Sequence, residues 1–233
     1  MISILVPTRG RVAMFKQMLH SVERTTRYDN IEIVAYVDDD DPDRFEYQKL
    51  FRGDGNDVVI VGPRIILTDC WNKCFAACRG DIVMQGNDDI LFRTRGWDVQ
   101  VESFFKESRD KIWMLHGDGL NPYRKPEEFG THCFVHRSWV NTVGYFIPPY
   151  FSSDFGDTFL NDVADRIGRR VFQPIVIEHM HFAFGKAAID QTSQERLDRH
   201  KKDKPEIIWE KTEPEREEAA RKLRALIETF AVG

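Results

Sequence analysis

The first ninety residues switch repeatedly between two hydrophobic periods, and that alternation constrains the fold more than any other feature of the chain. Ile2 to Val6 is an unbroken apolar run closed by Pro7, the pattern of a strand buried on both faces. Thr8-Arg9-Gly10-Arg11 reads as a turn, after which Met14, Phe15, Met18, Leu19 and Val22 recur at helical spacing. A second strand is expected over Ile31–Val37 and a helix carrying Phe45 and Leu50 behind Pro42. A third strand is expected over Val58–Val61, a helix from Thr68 to Cys78 ended by Gly80, and a fourth strand over Ile82–Met84. Such alternation predicts a mostly parallel α/β sheet flanked by helices and joined by right-handed crossovers.

After Asp89 the pattern loosens. Helices are expected over Thr94–Ser108, near Trp139 and Val143, and over Phe155–Ile167, with strands at Ile112–Leu115, Thr131–His136 and Val171–Ile177. From Lys186 onward apolar residues thin out, although Glu213–Phe230 keeps an amphipathic face. The expected organisation is one domain over 1–185, whose pattern changes near residue 92, followed by a charged helical appendage over 186–233.

Composition excludes several classes. A chain of 233 residues with 42% hydrophobic residues can bury a core, so global disorder is excluded. No apolar run approaches the ~20 residues of a membrane span, so no stable membrane association is expected. A net charge of −5 argues against a broad nucleic-acid surface. Cys70, Cys74 and Cys78 share one helical face with Trp71, and no cysteine pair, Cys133 included, has C-x-x-C spacing. They read as core residues, and the cytoplasm is the default compartment. Nothing in the sequence fixes an oligomeric state.

In an open α/β sheet, ligands bind beyond the carboxyl ends of the strands. Four features fall there: Pro7-Thr8-Arg9, the run Asp38 to Asp41, Pro63-Arg64, and Asn87-Asp88-Asp89. Asp38, nearest its strand, is a candidate acceptor for hydrogen bonds from a nucleobase or ribose, with Asp40 on the same side; the alternative is a solvated loop in which Asp41 caps the next helix. Asp88 and Asp89 present hard oxygen ligands suited to Mg2+ or Mn2+; the alternative is a polar turn. His179 and His181, at i and i+2 of an extended segment, point to one side as a candidate ligand pair, or as two satisfied half-buried imidazoles. Asp157 opens a helix, where the dipole favours its ionised form; it is either a base or a cap.

Taken together, these residues resemble family 2 glycosyltransferases of the GT-A fold, a Rossmann-like domain that binds nucleotide-diphospho-sugars, over roughly residues 1–182. The resemblance rests on ISILVPTRGR, EIVAYVDDDDP, WNKCFAACRGDIVMQGNDDI, GDTFLNDVADRIGRRVFQP and IEHMH, in that order. Asn87 stands where the family's Asp-x-Asp begins, Asp89 falls on its metal-binding Asp, and Gly156 stands where Glu is common, beside Asp157 at the catalytic-base position. The short spelling is similar to small bacterial or phage-encoded members. The resemblance implies inverting transfer from a nucleotide-sugar, a UDP-sugar first, to an acceptor hydroxyl. Asp157 would be the base; Asp89 with His179 or His181 would hold Mn2+ or Mg2+; Pro7, Thr8, Arg9, Asp38, Asp40, Arg64, Asn72 and Asp88 would line the nucleotide, with Arg9 or Lys73 towards its phosphates. Trp97, Asp118 and Tyr150 are candidates for the acceptor side, and loops 116–130 and 144–156 for lids. The acceptor is left open among a glycan, a protein side chain and a hydroxylated base in phage DNA; for the last, Arg196, Arg199, Lys201, Lys202 and Lys204 would supply a basic track. Two other readings stand beside this one: a nucleotidyltransferase whose Thr8-Arg9-Gly10-Arg11 turn clamps a triphosphate, and a non-catalytic sugar-binding module.

Overall fold

A computed structural model describes residues 1–28, 30–51 and 55–231. Strands β1 (Ile2–Thr8), β2 (Ile31–Asp38), β3 (Val58–Gly62) and β4 (Ile82–Gln85) alternate with helices α1 (Val12–Thr25), α2 (Arg44–Leu50) and α3 (Leu67–Ala77), as the hydrophobic periods predict. The second half adds β5 (Ile90–Phe92), α4 (Trp97–Glu107), β6 (Met114–Asp118), β7 (Cys133–His136), α5 (Arg137–Val143), α6 (Gly156–Arg166) and β8 (Arg170–His179). The C-terminal segment forms α7 (Gln191–Asp203), α8 (Pro205–Lys211) and α9 (Glu213–Ala231), and its last two residues lie outside the described ones.

All eight strands form one sheet in the order β3-β2-β1-β4-β7-β6-β8-β5. Four of its seven neighbour pairs are parallel, and the antiparallel ones all involve β7 or β5. β5 escapes the sequence reading because three residues are too few to show a period. Alternation along β1 splits the core. Ile2, Ile4 and Val6 pack with Phe15, Met18 and Val22 of α1 and Trp97, Val101 and Phe105 of α4; Leu5 faces Cys70, Trp71 and Cys74 of α3 on the other side. The four cysteines are free and buried. The appendage shares this core, since Ala219, Ala220 and Leu223 of α9 are buried with α5 and α6.

A buried carboxylate ties β1, β2 and Arg79 together. Glu32 of β2 accepts hydrogen bonds from the Ser3 hydroxyl (2.5 Å), the Arg79 amide (2.8 Å) and Arg79 Nε (2.9 Å). Burial disfavours its charge, but these donors outweigh burial and hold its carboxyl below the usual range. A carboxyl lowered on folding contributes stability above its unfolded pKa and loses that contribution as pH falls through the folded one. Glu32→Gln is therefore expected to cost about 1–3 kcal/mol at neutral pH. In urea titrations at several pH values, the gap to wild type should narrow below about pH 4, the ordinary carboxylate range; a gap independent of pH would show that packing, not charge, holds this site.

Candidate active site

The carboxyl ends of β1, β2, β3 and β4 open into one cleft of about 480 Å³. Pro7, Thr8, Arg9, Asp38, Arg64, Asn87, Asp88, Asp89, Asp157, His179 and His181 all line it. The parallel register places Thr8 beside Val37, and Asp38 beside Gly62, so the three strand ends finish level.

The acidic run after β2 is tolerated because three of its four carboxylates, Asp38, Asp40 and Asp41, have a donor. Arg9 bonds Asp38 (3.0 Å) and also pairs with exposed Asp40. Fully buried Asp41 accepts from the Gly10 and Asp43 amides, both at 2.8 Å, and so pins two loops rather than facing solvent. Burial raises the Asp38 carboxyl, and Arg9 draws it back. Arg9 thus lines the cleft already paired with two carboxylates.

Asp88 and Asp89 are both buried at the floor. The Asp88 carboxylate accepts from Thr8 Oγ1 (2.8 Å) and Arg11 (3.2 Å), and Arg11 also lies 3.7 Å from Asp89. Asp88 therefore anchors the acidic pair to β1. Burial pushes the Asp88 carboxyl up, with the charge of Asp89 adding to it. For Asp89, burial is overcome by His179 and Arg11, and its carboxyl is held down. Arg11 was legible in the sequence only as part of a turn. Its Nε and Nη2 also bond Asp190 (2.7 and 2.9 Å), and Nη2 bonds Ser193 (2.8 Å), which carries α7 across the cleft. Thr192 adds a bond to the Arg9 carbonyl (2.9 Å) and Glu195 an ion pair to Arg64. Sequence reading missed this roof because charged residues at helical spacing look the same whether they face water or carboxylates.

His179, the last residue of β8, places Nε2 3.3 Å from Asp89 Oδ1, a buried oxygen that has no aligned hydrogen-bond donor. His181 lies beside it, ring centroids 4.9 Å apart, but its Nδ1 accepts from the Ala183 amide and its Nε2 meets Arg196 at 3.3 Å. Burial, His179 and Arg196 lower the His181 imidazole to about 4, so it is neutral. Among the described residues no group of three or more His, Cys, Asp or Glu side chains converges as a metal cage. An orphaned carboxylate oxygen facing an imidazole nitrogen nevertheless fits a divalent ion that completes its shell with water and phosphate.

Asp157 sits in the first turn of α6, with Oδ1 accepting from the Thr158 amide at 2.8 Å. The expectation that the helix dipole sets its protonation is corrected: burial dominates and raises its carboxyl, with nearby Asp154 adding to the rise. Phe155 before it adopts a left-handed φ of 72°, a strained turn that aims the start of α6 into the cleft. A Cβ on Gly156 would lie 2.8 Å from Ile147 Cγ2, so Glu there would require the buried Ile147 side chain to shift.

Other candidates fall elsewhere. Asn72 is a structural tie outside the cleft lining: its carboxamide accepts from the Phe146 (2.8 Å) and Ile147 (3.2 Å) amides and donates to the Ile147 carbonyl (2.8 Å). Lys73 is exposed outside the cleft. Trp97 is fully buried against Phe92 and Phe134. Tyr150 packs on Tyr145 and Phe159 near α9, and Asp118 holds the Leu120 amide.

No known family's sequence profile matches the chain, and no curated protein matches it. Solved structures do. TarS of S. aureus superposes with a TM-score of 0.61 at 13% identity, over 76% of this chain and 36% of TarS. TarS 1-349 in complex with UDP-GlcNAc gives 0.60 at 12%, over 81% and 61%. The mannosyltransferase PcManGT of Pyrobaculum calidifontis, in complex with GDP-Man and Mn2+, gives 0.61 at 13%, over 100% and 75%. The chain spans about a third of the full TarS chain (36%), and at these identities the likeness is one of fold. The protein has the GT-A type fold of these glycosyltransferases.

The reassignment of Asn72 has a direct check. Asn72→Ala orphans two backbone amides and one carbonyl, each at about 1–3 kcal/mol when buried. The melting temperature should fall by several degrees while UDP affinity of the folded fraction stays within about twofold; a selective loss of UDP binding would return Asn72 to the ligand.

Proposed function

We propose that the protein is a metal-dependent glycosyltransferase that moves a sugar from a nucleotide-diphospho-sugar, a UDP-sugar first, to an acceptor hydroxyl with inversion. The observation that carries this reading is the meeting of Asp38, the Asp89–His179 pair and Asp157 in one cleft at the carboxyl edge of the sheet. UDP-GlcNAc and GDP-Man with Mn2+ are what the similar folds hold, which supports the donor class and the metal. In the proposed division, Asp38 and Asp89 belong to the nucleotide-binding half (1–92) and Asp157 to the acceptor half (93–185). The acceptor is a glycan, a protein side chain or a hydroxylated DNA base.

Asp38 accepts hydrogen bonds from the base or ribose, with Arg64 4.0 Å away to balance its charge. Asp89 and His179 would hold the divalent ion, which when bound supplies Lewis-acid stabilisation of the diphosphate leaving group. The imidazole favours Mn2+ over Mg2+. Asp157 takes the acceptor proton as the hydroxyl attacks the anomeric carbon. Burial raises its pKa, which makes its ionised form a stronger base than an exposed Asp. Asp88, held by Thr8 and Arg11, keeps Asp89 in place. Both arginines of the Thr8–Arg11 turn are paired with carboxylates, which favours the nucleotide-sugar reading over a triphosphate clamp. Among the described residues no helix is long and apolar enough to cross a membrane. The free thiols support a reducing compartment, the cytoplasm.

Calorimetry with UDP-sugars, with and without Mn2+, tests this reading. Binding should require the metal, and Asp89→Ala should abolish divalent-ion binding and turnover while the fold survives. Preference for a nucleoside triphosphate would instead favour nucleotidyl transfer.

Asp157→Asn should retain donor and metal binding and lose roughly 10²–10⁴ in rate, the range for a general base. In wild type the rate should rise with pH through a pKa above the ordinary carboxylate value, because the unprotonated form is the base. A normal rate with a lowered melting temperature would reduce Asp157 to a helix-start residue.

A further inference from the structure

The cleft is rich in both charge signs, and nearly every guanidinium near its floor and roof is committed. Arg9 is held by Asp38 and Asp40, Arg11 by Asp88 and Asp190, Arg64 by Glu195, and Arg196 by Asp154. Arg199 is different. It lines the cleft from α7, yet no ion pair joins it to a carboxylate among the described residues. Its Nε is shut off from solvent and has no hydrogen-bond partner.

The helix explains how this arises. Thr192, Glu195, Arg196 and Arg199 fall at i, i+3, i+4 and i+7, one face of α7, and all four line the cleft. The bonds from Asp190 to Arg11, Thr192 to Arg9 and Ser152 to Asp203 fix that face over the opening at both ends of the helix. Asp154 accepts from both Arg196 (2.7 Å) and His200 (2.6 Å), and Arg199 between them is left without an acid.

Among the described residues Arg199 lines the cleft with no carboxylate to neutralise it, so its guanidinium is available to an anion delivered from the cleft. A guanidinium forks naturally onto phosphoryl oxygens. We propose that Arg199 is the phosphate-reading residue of this site and engages the diphosphate of a bound nucleoside diphosphate. The segment after residue 185 then supplies a ligand contact as well as a roof. This assignment rests on the nucleotide-sugar reading above for the identity of the anion.

The test uses the full chain, wild type, Arg199→Gln and Arg199→Lys, titrated with UDP, GDP, uridine and inorganic pyrophosphate in the presence of Mn2+, with melting curves on each protein. Arg199→Gln should weaken UDP or GDP binding by about 10- to 100-fold, weaken pyrophosphate comparably, leave uridine within about twofold and leave the melting temperature unchanged or raised. Arg199→Lys should recover part of the loss, since it restores charge without the fork. Equal weakening of UDP and uridine, or no change in any ligand, would overturn the assignment. If wild type binds neither UDP nor GDP, the nucleotide reading fails; pyrophosphate binding lost in Arg199→Gln would then still establish the anion site, and its absence in wild type would sink both.

Discussion

The site depends on one buried cation. Arg11 stands at the start of α1 among three carboxylates, Asp88, Asp89 and Asp190. Burial alone would weaken its charge, but Asp190 and the two floor carboxylates hold it firmly protonated. Burial likewise works against Asp190, yet Arg11 and Ser193 hold its carboxyl down to about 2. Breaking a buried pair of this kind by removing one partner typically costs about 3–5 kcal/mol, because the remaining charge is stranded. Through Arg11 the floor of the cleft, built from β4, and its roof, built from α7, are held by the same guanidinium.

The same logic governs the other charges. Four consecutive aspartates follow β2, and the run survives because Arg9 takes Asp38 and Asp40 while backbone amides take Asp41. Asp157 and Asp89 occupy one cleft with opposite environments. Asp89 has His179 and Arg11 to stabilise its charge, whereas Asp157 has mainly a backbone amide and is pushed up by burial. Their environments thus drive the two carboxyls in opposite directions within one cleft.

Much of the fold was legible because hydrophobic period is a local property. β1 to β4 and α1 to α3 follow from apolar runs and helical stripes within about twelve residues of chain. The end of each strand then names the cleft residues, because parallel strands finish on one edge. What local patterns do not carry is partnership. Asn72 looked like a ligand and is a backbone tie; Trp97 looked like an acceptor surface and is core. Polar and aromatic side chains near a site have the same spelling whether they face it or support it.

Sequence by itself determined the parallel α/β half, the acidic strand ends and the positions of Asp38, Asp89, Asp157 and His179, since each follows from residues adjacent in the chain. Tertiary structure decided the rest. It brought α7 from 179 residues away onto Arg11, paired Arg196 with Asp154 and left Arg199 unmatched over the cleft. It also raised the Asp157 carboxyl that the helix dipole alone would have lowered. The reason is physical: strand and helix periods depend on neighbours in sequence, whereas the charge state and partner of a buried group depend on which distant groups exclude water from it and which distant donors replace that water.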